Sequence, residues 1–181
     1  MGLEYFSDIL LNNPEAKTVC YKKGQILQFA GDEHTKLFYV KIGLLRSYII
    51  DEKGKEHIFD FSPEGYYISD FESLHNKMPT SLFIDAIEDS EVIVVPQEKI
   101  NPNGLTPELI FNEYNELSKR IGVLQKRLIM LISEPAKNRY IYVLERFPKA
   151  IDRIPIKMIA SYLGITPEVL SKIRGEIARE K

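Results

Sequence analysis

Pro155-Ile-Lys-Met-Ile-Ala-Ser-Tyr-Leu-Gly-Ile-Thr-Pro-Glu-Val-Leu-Ser-Lys-Ile-Arg174 reads as two short helices joined by a tight turn. In the first, Ile156, Ile159, Ala160 and Leu163 recur on one face, and the small Ala160 lets another helix approach closely. Gly164 supplies the left-handed conformation that ends it. Thr166 then suits an N-cap and Pro167 the first helical position, while Val169, Leu170, Ile173 and Ile177 form an inward stripe. The outward face is Glu168, Ser171, Lys172, Gly175 and Arg179, with Arg174 beside it. A helix presenting such groups suits a DNA major groove, where a cation donates to guanine and a carboxylate accepts from cytosine N4. Thr166, Glu168, Ser171, Lys172 and Arg174 are therefore the candidate DNA contacts. The competing reading is a helical hairpin whose charges are merely solvated.

Upstream, Thr106-Pro107-Glu108 announces a longer helix. Within it Ile110, Tyr114, Leu117, Ile121, Leu124, Leu128 and Leu131 follow at alternating spacings of 4 and 3, a 3.5-residue period. That is the pattern of a coiled-coil seam, and it makes these seven residues the expected homodimer interface. An amphipathic helix packed on its own domain is the alternative, although such a face is usually wider. Arg120, Lys126 and Arg127 fall off the seam as solvated charges. Pro135 interrupts the pattern; Ser133 is expected to cap a new helix through Tyr140, Val143 and Leu144 to Phe147, which Pro148 ends.

Before the long helix the pattern is different. Turn signals recur every eight to twelve residues between Val19 and Pro96, and the runs Leu37–Ile42, Leu44–Ile50, His57–Phe61, Tyr66–Ile68, Ser81–Ile87 and Glu91–Val95 read as strands. Many short strands in series predict a sandwich or roll. The fold class is then α+β: a β-roll over residues 1–105, a dimerisation helix over 106–132 and an all-helical, helix-turn-helix part over 133–181.

Composition bounds the function. Net charge is −2, yet residues 133–181 carry ten basic and six acidic side chains, a net of +4, against −6 for residues 1–132. The electropositive part is the one with the helix-turn-helix pattern. No apolar run approaches the roughly 18 residues of a membrane span, and Met1–Leu11 lacks a leader's basic and apolar regions. The expected location is the cytoplasm, with no membrane partner. The single cysteine, Cys20, is read as a small packed side chain, and by itself it cannot ligate an iron–sulfur cluster or a structural zinc. His34, His57 and His75 show no metal or haem spacing.

Taken together, Val40-Lys-Ile-Gly-Leu-Leu-Arg-Ser-Tyr48, Pro63-Glu-Gly-Tyr-Tyr-Ile68, the long helix and Ile159–Arg174 resemble the cyclic-AMP receptor/Fnr family of bacterial transcription regulators over nearly the whole chain. The resemblance implies a double-stranded β-helix sensor, a dimerisation helix and a recognition helix starting near Thr166. It places Glu168 and Lys172 at base-contacting positions, and Pro167 where many relatives have a base-reading Arg, so a different operator is expected. It also implies a β-hairpin wing after the recognition helix, whereas this sequence stops at Lys181, as in short-form lineages of the family.

Cyclic-nucleotide-binding relatives hold the ribose with Gly-Glu and the phosphate with Arg followed by Ser or Thr. Aligned without a gap from Gly65 to Val92, those positions are Ser69-Asp70 and Thr80-Ser81. Without the guanidinium, charge-assisted hydrogen bonds worth roughly 1.5–3 kcal/mol each are missing. Cyclic AMP is therefore not the expected effector, and no cofactor is expected. Ser69, Asp70, Thr80 and Ser81 remain the candidate effector pocket, against the alternative that they are loop residues satisfied by the backbone. An unknown small molecule, protein abundance or a partner is left open as the regulator.

The expected partners are double-stranded DNA with a palindromic operator, a second copy of the chain and, if it activates, RNA polymerase. An enzyme of the cupin kind would share the roll but needs clustered His and carboxylate ligands, and none are spaced for it here. No catalytic residue is assigned. A dimeric ligand- or protein-binding module without DNA binding is the other class, distinguished by what the outward face of the second helix contacts.

Overall fold

The computed structural model describes residues 16–96 and 106–180. Met1–Leu11, Leu105 at the expected domain boundary, and Lys181 lie outside the described residues. The chain forms two compact units, residues 1–118 and 119–181.

The first unit contains β1 (Lys17–Tyr21), β2 (Ile26–Gln28), β3 (Lys36–Ile42), β4 (Leu44–Ile50), β5 (Glu56–Pro63), β6 (Tyr67–Ile68), a short helix α1 (Phe71–Asn76), β7 (Phe83–Ala86) and β8 (Ser90–Pro96). They form two four-stranded antiparallel sheets, ordered β1-β8-β3-β6 and β2-β7-β4-β5, the interleaved order of a roll. Between the sheets lies a core of Leu27, Phe38, Val40, Leu45, Ile68, Ile84, Ala86 and Val92. Phe38 and Val40, like Ile84 and Ala86, are two apart, so the strand period points them to one face.

Two contacts lock the roll. Gly43 joins β3 to β4 at φ 103°, and a Cβ there would overlap Ser90 Oγ and lie 2.8 Å from Ser90 Cα, so only glycine fits. On β4, Arg46 is matched in register with Asp85 of β7 and donates to it through Nε and Nη2, both at 2.7 Å. Its third nitrogen, Nη1, pairs with Glu56 of β5, and the guanidinium lies 4.2 Å from the centre of the Tyr48 ring. Burial opposes the charge on Arg46, but the bonds to Asp85 and Glu56 outweigh it and raise its pKa further.

In four places this unit differs from the sequence expectations. Strands β1 and β2 and helix α1 were not expected. β2 has three residues and α1 six, too short for a hydrophobic period to show. Cys20 is not packed; it is exposed on β1, which among the described residues has a sheet neighbour on one side, β8.

The long helix α2 (Pro107–Ser133) runs from the first unit into the second, which also holds α3 (Ala136–Arg146), a 3-10 turn (Ile151–Arg153), α4 (Ile156–Leu163) and α5 (Pro167–Arg179). Tyr140 and Val143 of α3, Phe147 after it, Ile159 and Leu163 of α4 and Leu170 of α5 are buried together as the core of this unit. The Phe147 and Tyr162 rings meet edge to face at 6.0 Å.

Two further corrections concern α2. Ser133 does not cap α3: it is the last residue of α2, and its hydroxyl donates back to the Ile129 carbonyl at 2.8 Å, while Pro135 precedes α3 without a side-chain cap. Arg127 is not simply solvated, because its guanidinium lies 4.0 Å from the centre of the Tyr162 ring; Lys126 similarly sits 5.4 Å over Tyr142.

Candidate nucleic-acid interface and effector pocket

The turn between α4 and α5 is built by local chemistry. Gly164 adopts φ 65° and ψ 34°, and the Ile165 amide donates to the Ala160 carbonyl at 3.0 Å, the hydrogen bond of a Schellman stop. Thr166 caps α5 by accepting from the Val169 amide at 3.4 Å. Arg139 of α3 ties the turn down, donating through Nε to the Glu134 carbonyl at 2.8 Å and through Nη1 to the Leu163 carbonyl at 3.1 Å. One guanidinium thereby satisfies carbonyls at the ends of two helices.

Within α5, Leu170 and Ile173 are buried, whereas Glu168, Ser171, Lys172, Arg174 and Arg179 are exposed. At about 100° per residue, Glu168, Lys172 and Arg179 share one line on the helix, and Arg174 lies on the far edge of the exposed surface from Lys172. Lys172 is 81 % exposed and only 4.0 Å from Glu176, so its ammonium extends into solvent. The Thr166 hydroxyl, with help from the backbone, holds the Glu168 carboxyl below its ordinary value of 4.5, so it is an ionised acceptor at neutral pH. Val169, expected inward, is 42 % exposed because its position falls on the margin between the buried stripe and the polar line.

Along α2, Ile110, Tyr114, Leu117, Ile121, Leu124 and Leu128 are all between 45 and 66 % exposed. Leu131 is half-buried and turned toward Gly164, and Ile132 carries the apolar exposure at that end of the helix. The stripe thus ends one residue later than the heptad spacing alone predicts.

Three of the four pocket candidates of the roll, Asp70, Thr80 and Ser81, are brought together. Asp70 caps α1 by accepting from the Ser73 amide at 3.1 Å. Its other oxygen accepts from the Thr80 hydroxyl at 3.0 Å, the Ser81 amide at 2.9 Å and the Ser81 hydroxyl at 3.0 Å. Ser69 instead donates to the Lys36 carbonyl at 2.9 Å, outside this cluster. Gln28, missed in the sequence because it lies in the unassigned β2, donates to Thr80 Oγ1 at 3.1 Å.

Burial pushes the Asp70 carboxyl up, but the bonds from the Ser81 and Ser73 amides and from the two hydroxyls outweigh it and leave its pKa below 3.8. A depressed folded pKa adds stability that is fully present above the unfolded value and disappears as pH falls through the folded one. Wild type is therefore expected to be more stable than Asp70→Asn at neutral pH, with the gap closing below about pH 4 in acid-unfolding curves. A gap independent of pH would show that the charge contributes nothing.

Comparison with known proteins agrees with this architecture. The cyclic nucleotide-binding domain family matches residues 18–102. The anaerobic regulatory protein of Aggregatibacter actinomycetemcomitans is 29% identical over 170 residues, covering 87% of this chain and 65% of that protein. The fumarate and nitrate reduction regulatory protein of Escherichia coli strain K12 is 30% identical over 170 residues, covering 87% and 67%. The chain thus spans just under two thirds of the length of the first and 67% of the second. Among solved structures, FixK2 from Bradyrhizobium japonicum has the same fold with a TM-score of 0.77 at 19% identity, over 91% of this chain and 85% of that one. A CRP/FNR-family transcriptional regulator from Thermus thermophilus gives 0.68 at 24% identity, over 91% and 87%. With a roll, a long helix and a helix-turn-helix in the same order, and these relatives at these coverages, the chain belongs to the CRP/FNR family of transcription regulators.

Proposed function

We propose that the chain is a sequence-specific DNA-binding regulator that acts as a homodimer, with residues 1–105 as sensor, 106–132 as dimerisation helix and 133–181 as DNA-binding part. The observation that carries the proposal lies in the second unit. There α5 keeps Glu168, Lys172 and Arg179 exposed while Arg127 stacks on Tyr162 of α4 and ties it to α2, which bears the exposed apolar stripe.

Pairing two copies through that stripe would set the spacing of their recognition helices, and half-sites about 34 Å apart would match it. Glu168 and Lys172 are the base readers in this proposal, and Thr166, Ser171 and Arg174 serve phosphate or base. The effector is not cyclic AMP, since Thr80 and Ser81 offer no cation to a phosphate.

Selection from a random duplex pool by the ligand-free protein tests this: enrichment of a palindrome is the expected result. The Lys172→Ala/Arg174→Ala variant should bind the selected duplex roughly 10–100-fold more weakly, with a shallower dependence on salt. Equal affinity and salt slope would remove α5 from the DNA interface. Absence of any enriched sequence would favour a dimeric module that binds something other than DNA.

A further inference from the structure

We propose that the roll carries its own anion: the Asp70 carboxylate fills a donor set that would otherwise take a soluble carboxylate or phosphate, and so orders this corner of the roll without a bound anion. This concerns the first unit alone and stands apart from the DNA reading.

The donors around Asp70 Oδ2 are fixed as donors. Thr80 Oγ1 accepts from Gln28 Nε2 at 3.1 Å and from the Leu82 amide at 3.2 Å. Gln28 cannot present its oxygen instead, because Oε1 accepts from the Lys36 amide at 3.2 Å. With both acceptor positions of Thr80 filled, its one proton is directed at Asp70, 3.0 Å away, rather than at the Leu82 carbonyl at 3.5 Å. The Ser81 amide, at 2.9 Å, is a donor by nature. An acceptor is therefore required where these protons converge, and an anionic one suits them best.

Asp70 is that acceptor, 5 % exposed and, among the described residues, held by no cation: the four hydrogen bonds to its carboxylate all come from neutral groups. Ser81 itself is exposed, so the donor set lies one residue from solvent and an anion could reach it if the carboxylate were gone. With the carboxylate seated, the same bonds join the start of α1 to the Thr80–Leu82 segment, and no ligand is needed to order either.

Asp70→Ser separates the two roles of this side chain, since serine still caps α1 but is too short to meet Thr80 and Ser81. Wild type should show no change of melting temperature with inorganic phosphate or acetate relative to chloride at equal ionic strength. Asp70→Ser should melt at least about 4–8 °C lower, the shift that accompanies loss of roughly one hydrogen bond. It should regain most of this saturably with acetate, the head group it lost, or with phosphate. Saturable stabilisation of wild type would overturn the proposal, because the donors would then be open. An Asp70→Ser protein that responds to neither anion more than to chloride would overturn it too.

If that variant does not fold, amide hydrogen exchange at Ser81 in wild type decides. Slow exchange, unchanged by phosphate, is expected of an amide held by the seated carboxylate. Exchange at the rate of a free exposed amide, or protection that appears only with phosphate, would refute it.

Discussion

Replacing Leu117 and Leu124 together by Glu is expected to turn the proposed dimer into a monomer and to lower affinity for a palindromic duplex by roughly 10²–10⁴, the gain that linking two binding modules supplies. Both leucines are about half exposed in the single chain and lie on the stripe of α2, so neither substitution removes a packed side chain of its own fold. Glu is moreover a good helix former. The variant should therefore keep its circular dichroism while sedimenting as a monomer, because pairing would force four carboxylates into an apolar seam. Binding to a duplex with a single half-site should be nearly the same for both proteins. A variant that still sediments as a dimer would show that the stripe is covered by something other than a second copy.

Asp85→Ala should destabilise the roll by about 3–5 kcal/mol, the range found when one partner of a buried ion pair is removed. Arg46 and Asp85 are each 6 % exposed, and both 2.7 Å bonds between them join neighbouring strands β4 and β7. Without Asp85 the guanidinium keeps the Tyr48 ring and, as its charged partner, Glu56, whose side chain is 46 % exposed and hence well screened by water. Urea unfolding of the full chain, followed by far-UV circular dichroism, measures this as an earlier transition of the first unit while that of the second is unmoved. A loss below about 1 kcal/mol would mean that Arg46 swings out to water at little cost.

The regular parts of this protein were legible in its residues because each rests on a local rule. The strands Leu44–Ile50 and Lys36–Ile42 follow from β-branched and aromatic runs between turns, and the observed bounds of the first coincide with those expected. The α2 stripe follows from a 3.5-residue period, and the α4–α5 turn from Gly164, Thr166 and Pro167. Helix α1 was invisible because six residues carry no period; it stands on the Asp70 cap and on contacts of Ser73 with Thr35 and Met78.

The sequence by itself determined that a roll precedes a long helix and a helix-turn-helix, together with the exposed line Glu168–Lys172–Arg179 and the apolar stripe of α2, since periods and turn signals are set by neighbours within one or two turns. Only the tertiary structure decided what meets across long separations. It paired Arg46 with Asp85, set Arg127 on Tyr162 and aimed Thr80 and Ser81 at Asp70. Ser133, which looked like a cap, closes the helix before it instead. The physical reason is that a polar side chain in an unfolded chain has many equivalent partners, water included, and only packing leaves it one.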